Sequence, residues 1–138
     1  MSSKARILVV DDNRSLVRVM ERVLEKEGFE VLTAFDGPEA LQKARAQKPD
    51  LIILDIVMPE MDGYEVCRHL HRDPDTARIA VLMLTRLDLR RFTSDDEERI
   101  EHFEAGAIDY LTKPITAEKL LDRLRGLLRL SGLEEGGR

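Results

Sequence analysis

The stretch LIILDIVMPEMDG, residues 51–63, sets four aliphatic side chains in a row, ends them at an acid and follows them with turn-forming residues. A strand with one face in water alternates apolar and polar side chains. An unbroken run such as Leu51 to Leu54 instead marks a strand covered by helices on both faces, which is the habit of parallel sheets. Asp55 therefore stands where a central strand leaves the core. The segment Met58 to Gly63 supplies loop chemistry before a helix from about Tyr64 to His71.

Outward from this centre the pattern repeats. Arg6 to Val10 reads as the first strand and ends at Asp11 and Asp12, after which Leu16, Val17, Met20, Val23 and Leu24 recur on one face of a helix closed by Gly28. Glu30 to Ala34 reads as strand two. Asp36, with Pro38 and Glu39 behind it, opens a second helix whose buried side carries Ala40, Leu41 and Ala44. Beyond the centre, Ile79 to Leu84 is another buried strand, ending at Thr85, and Ser94 with Glu97 forms a capping box for a helix containing Ile100 and Phe103. Ile108 to Thr112 is the fifth strand, followed by Lys113 and Pro114. Thr116 caps a last helix carrying Leu120, Leu121, Leu124, Leu127 and Leu128. Five strands alternating with five helices predict a layered α/β domain on a parallel sheet.

Composition narrows the function. A chain of 138 residues suits one domain, and 43% hydrophobic against 36% charged residues is enough to bury a core and too little bias for disorder. A net charge of −5 argues against binding nucleic acid by neutralising phosphates, and 4% aromatics with no Trp argue against a base-stacking platform. No apolar run approaches a membrane-spanning length and no signal-peptide pattern opens the chain, so no membrane contact and a cytoplasmic location are expected. Cys67 is the single cysteine, which excludes an internal disulfide and a Cys-based zinc site, and it reads as a small buried hydrophobe. His69 and His71 are two apart on a helix and cannot face one ligand together, and His102 is distant in sequence, so surface or packing roles are read for all three. Asp95, Asp96, Glu97 and Glu98 crowd the first turn of a helix, where they complement its dipole.

The chemistry is expected where the strands end. Ligands of open parallel sheets bind outside the carboxyl ends of the strands, and here those ends carry Asp11 and Asp12, Asp55, Thr85 and Lys113. Taken singly, an acid after a strand reads as a helix cap; together, four strand ends describe one crevice. Three carboxylates in a small space repel one another and call for a hard cation, and oxygen donors without His or Cys point to Mg²⁺ or Mn²⁺. A lysine and a hydroxyl opposite them supply what the oxygens of a transferred phosphoryl group require. Asp55 is the candidate nucleophile, because the central strand sets it between the acidic pair and the Lys and Thr. Two other classes fit less well. A phosphatase resembling the haloacid dehalogenase family needs a second acid two positions after the nucleophile, where Val57 stands. A dinucleotide-binding module needs G-x-G-x-x-G after the first strand, where Asp11, Asp12 and Asn13 occupy the turn.

The chain resembles the response-regulator receiver domain of two-component signalling, through the Asp11, Asp12 pair, the stretch Leu54 to Pro59 with Asp62 and Gly63, Thr85, and Glu104, Ala105, Gly106, Ala107 leading to Tyr110 through Pro114. The resemblance runs from about residue 5 to 130 and takes residues 1–130 as the receiver domain, with 131–138 as a flexible tail or the start of a linker. It implies a doubly wound, flavodoxin-like sheet of order 2-1-3-4-5. It also implies phosphorylation of Asp55 by a sensor histidine kinase or phosphotransfer protein, in a switch that assists its own phosphorylation and dephosphorylation without being a turnover enzyme. Metal ligation is implied for Asp12 and Asp55 directly, for the Val57 backbone carbonyl, and for Asp11 through water. Lys113 is implied to pair with the phosphoryl group, Thr85 to move toward it, Tyr110 to change rotamer, and the Lys113 to Pro114 bond to be cis. The output is implied to pass through the surface of the fourth helix, fifth strand and fifth helix, to a homodimer, a protein partner or an output domain. The chain departs from the pattern twice. The segment Leu87 to Ser94 is longer than the resemblance leads one to expect, and Arg86 follows Thr85 where a small residue is more usual.

Overall fold

The structure, a computed structural model, describes residues 5–85, 107 and 109–130. Five parallel strands, β1 (Arg6–Val10), β2 (Glu30–Ala34), β3 (Leu51–Asp55), β4 (Ala80–Thr85) and β5 (Asp109–Thr112), form one sheet in the order β2-β1-β3-β4-β5. The helices among the described residues are α1 (Arg14–Lys26), α2 (Gly37–Gln47), α3 (Gly63–Arg72) and α4 (Ala117–Leu130). The helix expected from Ser94, the segment 86–94, His102, the acids at 95–98 and the tail 131–138 lie outside the described residues, so α4 is the last of the five helices expected.

Helix starts follow their capping residues. Asn13 accepts from Leu16 N at 3.1 Å, Asp36 from Glu39 N at 2.8 Å, Asp62 from Glu65 N at 2.9 Å and Thr116 Oγ1 from Lys119 N at 3.2 Å. The Asp62 cap starts α3 at Gly63, one residue ahead of the sequence expectation. α1 ends against Gly28, whose φ of 91° is open to glycine at little cost. No glycine ends α2; Lys48 takes the left-handed conformation there, with φ 46°.

The aliphatic strands divide their side chains between two cores by simple alternation. Leu8, Val10, Ile52, Leu54, Val81 and Met83 point to one face and pack with Ala40, Leu41 and Ala44 of α2 and Val66, Cys67 and Leu70 of α3. Ile7, Val9, Leu51, Ile53, Leu82 and Leu84 point to the other and pack with Val17, Met20 and Leu24 of α1 and Leu120, Leu124, Leu127 and Leu128 of α4. β3 is buried along its whole length. At roughly 1.5–3 kcal/mol for each large aliphatic side chain taken fully out of water, this double burial is what holds the central strand, and with it Asp55, in place. Register then sets the upper edge: Val10 lies beside Leu54, Asp55 beside Leu84, and Thr85 beside Thr112.

Candidate functional site

Each parallel strand stops at nearly the same height, so the residues just past β1 and β5 and those that end β3 and β4 share one edge of the sheet. Asp11 follows β1 and is fully buried; its amide donates to Ala34 O at 3.2 Å, one Oδ accepts from Asn13 N at 3.0 Å, and the other accepts from Lys113 Nζ at 2.7 Å. Asp12 is exposed. The N-cap of α1 is Asn13, so neither carboxylate of the acidic pair caps that helix.

Asp55 ends β3 with no exposed surface. Lys113 Nζ stands 3.2 Å from its Oδ1, close enough to pair by charge, yet neither Asp55 oxygen accepts a hydrogen bond from the described residues. Burial and the neighbouring charges of Asp11 and Asp12 raise its pKa, against the opposing pull of Lys113, so that it is pushed up to about 6. Asp11, Asp12 and Asp55 each offer a carboxylate oxygen, and these oxygens lie within 4.8 Å of one another. An all-oxygen donor set around two buried oxygens without hydrogen bonds fits a hard divalent cation.

Lys113 reaches the site because its amide donates to Thr85 O at 2.7 Å, which continues the β4–β5 ladder past its last pair, and the bond to Pro114 is cis. Thr85, buried, is the last residue of β4 and stands one position beyond Leu84, the neighbour of Asp55. Tyr110 lies lower on β5, half-buried beside Met83 and packed on the α2–α3 side of the sheet. Val57 is 53% exposed in the loop after β3, two positions past Asp55.

His69 and His71 are exposed on α3, and burial pushes the Cys67 thiol up to about 12, as suits an inert core residue. Two features escaped the sequence. One is the direct bridge of Lys113 to Asp11, 102 positions apart in the chain, for which no local signal exists. The other is Arg123 of α4, which donates to Asp109 Oδ2 at 2.7 Å and to Tyr110 O at 3.2 Å and so holds the backbone of β5. No helix among the described residues is long and apolar enough to cross a membrane.

Fold and site together define a doubly wound α/β protein with an acidic, lysine-bearing crevice at the carboxyl edge of its sheet. Residues 7–125 match the family described as the response regulator receiver domain. Over 125 residues, 91% of this chain, the sequence is 50% identical to the response regulator PleD of Caulobacter vibrioides, of which it covers 26%. It is 41% identical over 126 residues to the alkaline phosphatase synthesis transcriptional regulatory protein PhoP of Bacillus subtilis, covering 91% of this chain and 49% of that protein. The structure resembles that of the Vibrio cholerae chemotaxis protein CheY4 with a TM-score of 0.81 at 36% identity, covering 91% of this chain and 100% of that one.

The chain belongs to the response regulator receiver domain family. Receiver domains are phosphoacceptor switches of two-component signal transduction. The chain spans about a quarter to a half of the length of the curated relatives named here.

Proposed function

We propose that Asp55 is the phosphoacceptor of this receiver, loaded by a sensor histidine kinase or a phosphotransfer protein with the help of Mg²⁺, for which Mn²⁺ can substitute. One observation carries the assignment: a fully buried carboxylate at the end of the central strand, neither oxygen hydrogen-bonded among the described residues, beside two further acids and one lysine. In the transfer, an Asp55 carboxylate oxygen attacks the phosphorus of a phosphohistidine. The new O–P bond replaces the N–P bond, and the imidazole leaves with the electron pair. The carboxylates of Asp12 and Asp55, the Val57 carbonyl, and Asp11 through water are the groups that would hold the cation, whose charge offsets that of the acids and the incoming phosphoryl group.

Lys113 already bridges Asp11 and Asp55 and is placed to turn to the phosphoryl oxygens. Thr85 offers its hydroxyl from the neighbouring strand end. Movement of Thr85 toward the phosphoryl group lets Tyr110 change rotamer, and the surface built on β5 and α4 passes the change to a protein partner, a second copy or an output domain. The receiver assists its own phosphorylation and dephosphorylation and needs no separate active site.

Acetyl phosphate with Mg²⁺ tests the reading by intact mass. One phosphoryl group is expected on the wild type and none on Asp55→Asn; equal labelling of the two, or labelling that survives chelation of the metal, overturns it. Thr85→Ala is expected to take up phosphate while losing most of the phosphate-dependent amide shift at Tyr110. An undiminished shift would remove Thr85 from the relay.

A further inference from the structure

The loop that carries Val57 away from Asp55 is held by few bonds, and one of its contacts is with a different helix. Ile56 N donates to Leu84 O at 3.1 Å, Gly63 N closes the loop on Ile56 O at 2.8 Å, and between them Met61 N donates to Pro59 O at 2.8 Å. That short bond forces Glu60 to a φ of 69°, the strained form of a three-residue turn for a residue with a side chain. Strain of this kind persists only where the surroundings hold it. α3 presses from one side: a Cβ on Gly63 would stand 2.5 Å from Asp55 O and 2.8 Å from the Ile56 Cα. From the other side comes Gly37, the first residue of α2, on which the Met61 side chain is seated so closely that a Cβ there would lie 2.9 Å from both Met61 Cβ and Sδ.

We propose that Gly37 and Met61 are a positioning pair, in which the bare Cα of Gly37 seats Met61, holds the strained turn at Glu60, and thereby fixes the segment Ile56–Val57 next to the phosphoacceptor. The inference rests on the assignment of Asp55 and extends it to residues that touch neither phosphate nor cation. The direction of force follows from how firmly each side is tied. The start of α2 is anchored by the Asp36 cap on Glu39 N, by Phe35 N donating to Glu39 Oε1 at 2.8 Å, and by Pro38. Past the Ile56 bond to Leu84 O, the backbone bonds of the loop among the described residues are its own turn at Glu60 and the closing bond at Gly63. When the contact is crowded, the loop is the partner that gives, and its displacement is delivered to the carbonyl of Val57.

Gly37→Ala crowds the seat, and Met61→Ala empties most of it. Gly126→Ala is the control, since a Cβ at that position of α4 meets nothing within 4 Å. A glycine-to-alanine change at a helix position with room is neutral or stabilising, so any loss at residue 37 comes from the contact. In metal-free protein, both seat variants are expected to speed hydrogen exchange at the Gly63 amide about tenfold while the amides of β1 keep wild-type protection. With acetyl phosphate and Mg²⁺ they are expected to label Asp55 about tenfold more slowly, and Gly126→Ala to match the wild type. Wild-type exchange at Gly63 in both seat variants overturns the proposal, and so does faster exchange with an unchanged labelling rate, which would leave the contact as packing alone. If Asp55→Asn labels as well as the wild type, it is the assignment of the acceptor that fails, and the exchange result at Gly63 still reports on the seat.

Discussion

Asp50 and Asp55 bracket the same strand, five positions apart, and the fold treats them in opposite ways. Asp50 sits at the amino edge of the sheet, where its Oδ2 accepts from Arg6 N at 2.7 Å, its amide donates to Arg6 O at 2.8 Å, and its carbonyl accepts from Ala80 N at 3.4 Å. Arg6 in turn donates to Gln47 O at 2.6 Å. The Asp50 carboxylate is thus satisfied by a backbone amide, while Arg6 Nε, buried and 3.3 Å from Glu30 Oε2, pairs by charge without a hydrogen bond among the described residues. Asp55, at the carboxyl edge, is buried more deeply and has neither oxygen hydrogen-bonded among the described residues. Burying a polar group without a partner costs stability, and at the carboxyl edge that cost falls on both oxygens of a fully buried carboxylate, whereas the Asp50 carboxylate has its partner.

The widest expected gap between the two edges is in phosphoryl uptake: Asp50→Ala is expected to label as the wild type does, whereas Asp55→Asn is expected not to label at all. Intact-mass measurement on the pair settles it, and uptake lost in both would mean that the amino edge supports the site after all.

The next contrast is in pH dependence. The folded value of Asp55, about 6, exceeds its ordinary 3.8, so between the two the metal-free folded state holds more protons than the unfolded chain. Its contribution to stability is full below about pH 4 and is lost as pH rises through about 6, a decline of up to about 3 kcal/mol. Denaturant titrations across that range are expected to show the fall in the wild type and in Asp50→Asn, and to lose most of it in Asp55→Asn.

Cation binding sharpens the comparison further. With Asp12 as the proposed direct donor and Asp11 as the proposed outer contact, Asp12→Ala is expected to weaken Mg²⁺ binding roughly tenfold or more, and Asp11→Ala to weaken it less. Titration with Mg²⁺ reads both, and unchanged affinity in both would take the acidic pair out of the site. The smallest effect belongs to the amino edge: Asp50→Ala leaves the Arg6 amide without its partner and is expected to cost about 1 kcal/mol in chemical denaturation.

What the chain determined by itself is local in origin. Short strand-like runs place β1 and β2 at Arg6–Val10 and Glu30–Ala34, and the uninterrupted aliphatic run of β3 announces a strand with helices on both faces. The residues at the strand ends were readable too, because parallel strands deliver their carboxyl ends to one edge whatever the loops do. What the sequence could not supply was the state of those residues. Asp11 and Asp55 look alike in one dimension, and only the folded sheet gives one of them hydrogen bonds from Lys113 Nζ and the Asn13 amide, while the other, 3.2 Å from the same ammonium, has neither oxygen hydrogen-bonded among the described residues. The seat of Met61 on Gly37 is likewise absent from any local pattern, since it depends on how α2 and the loop after β3 approach each other across the edge. Propensity, period and capping act within a few residues, whereas charge pairing, desolvation and close backbone approach act between segments that only tertiary packing brings together.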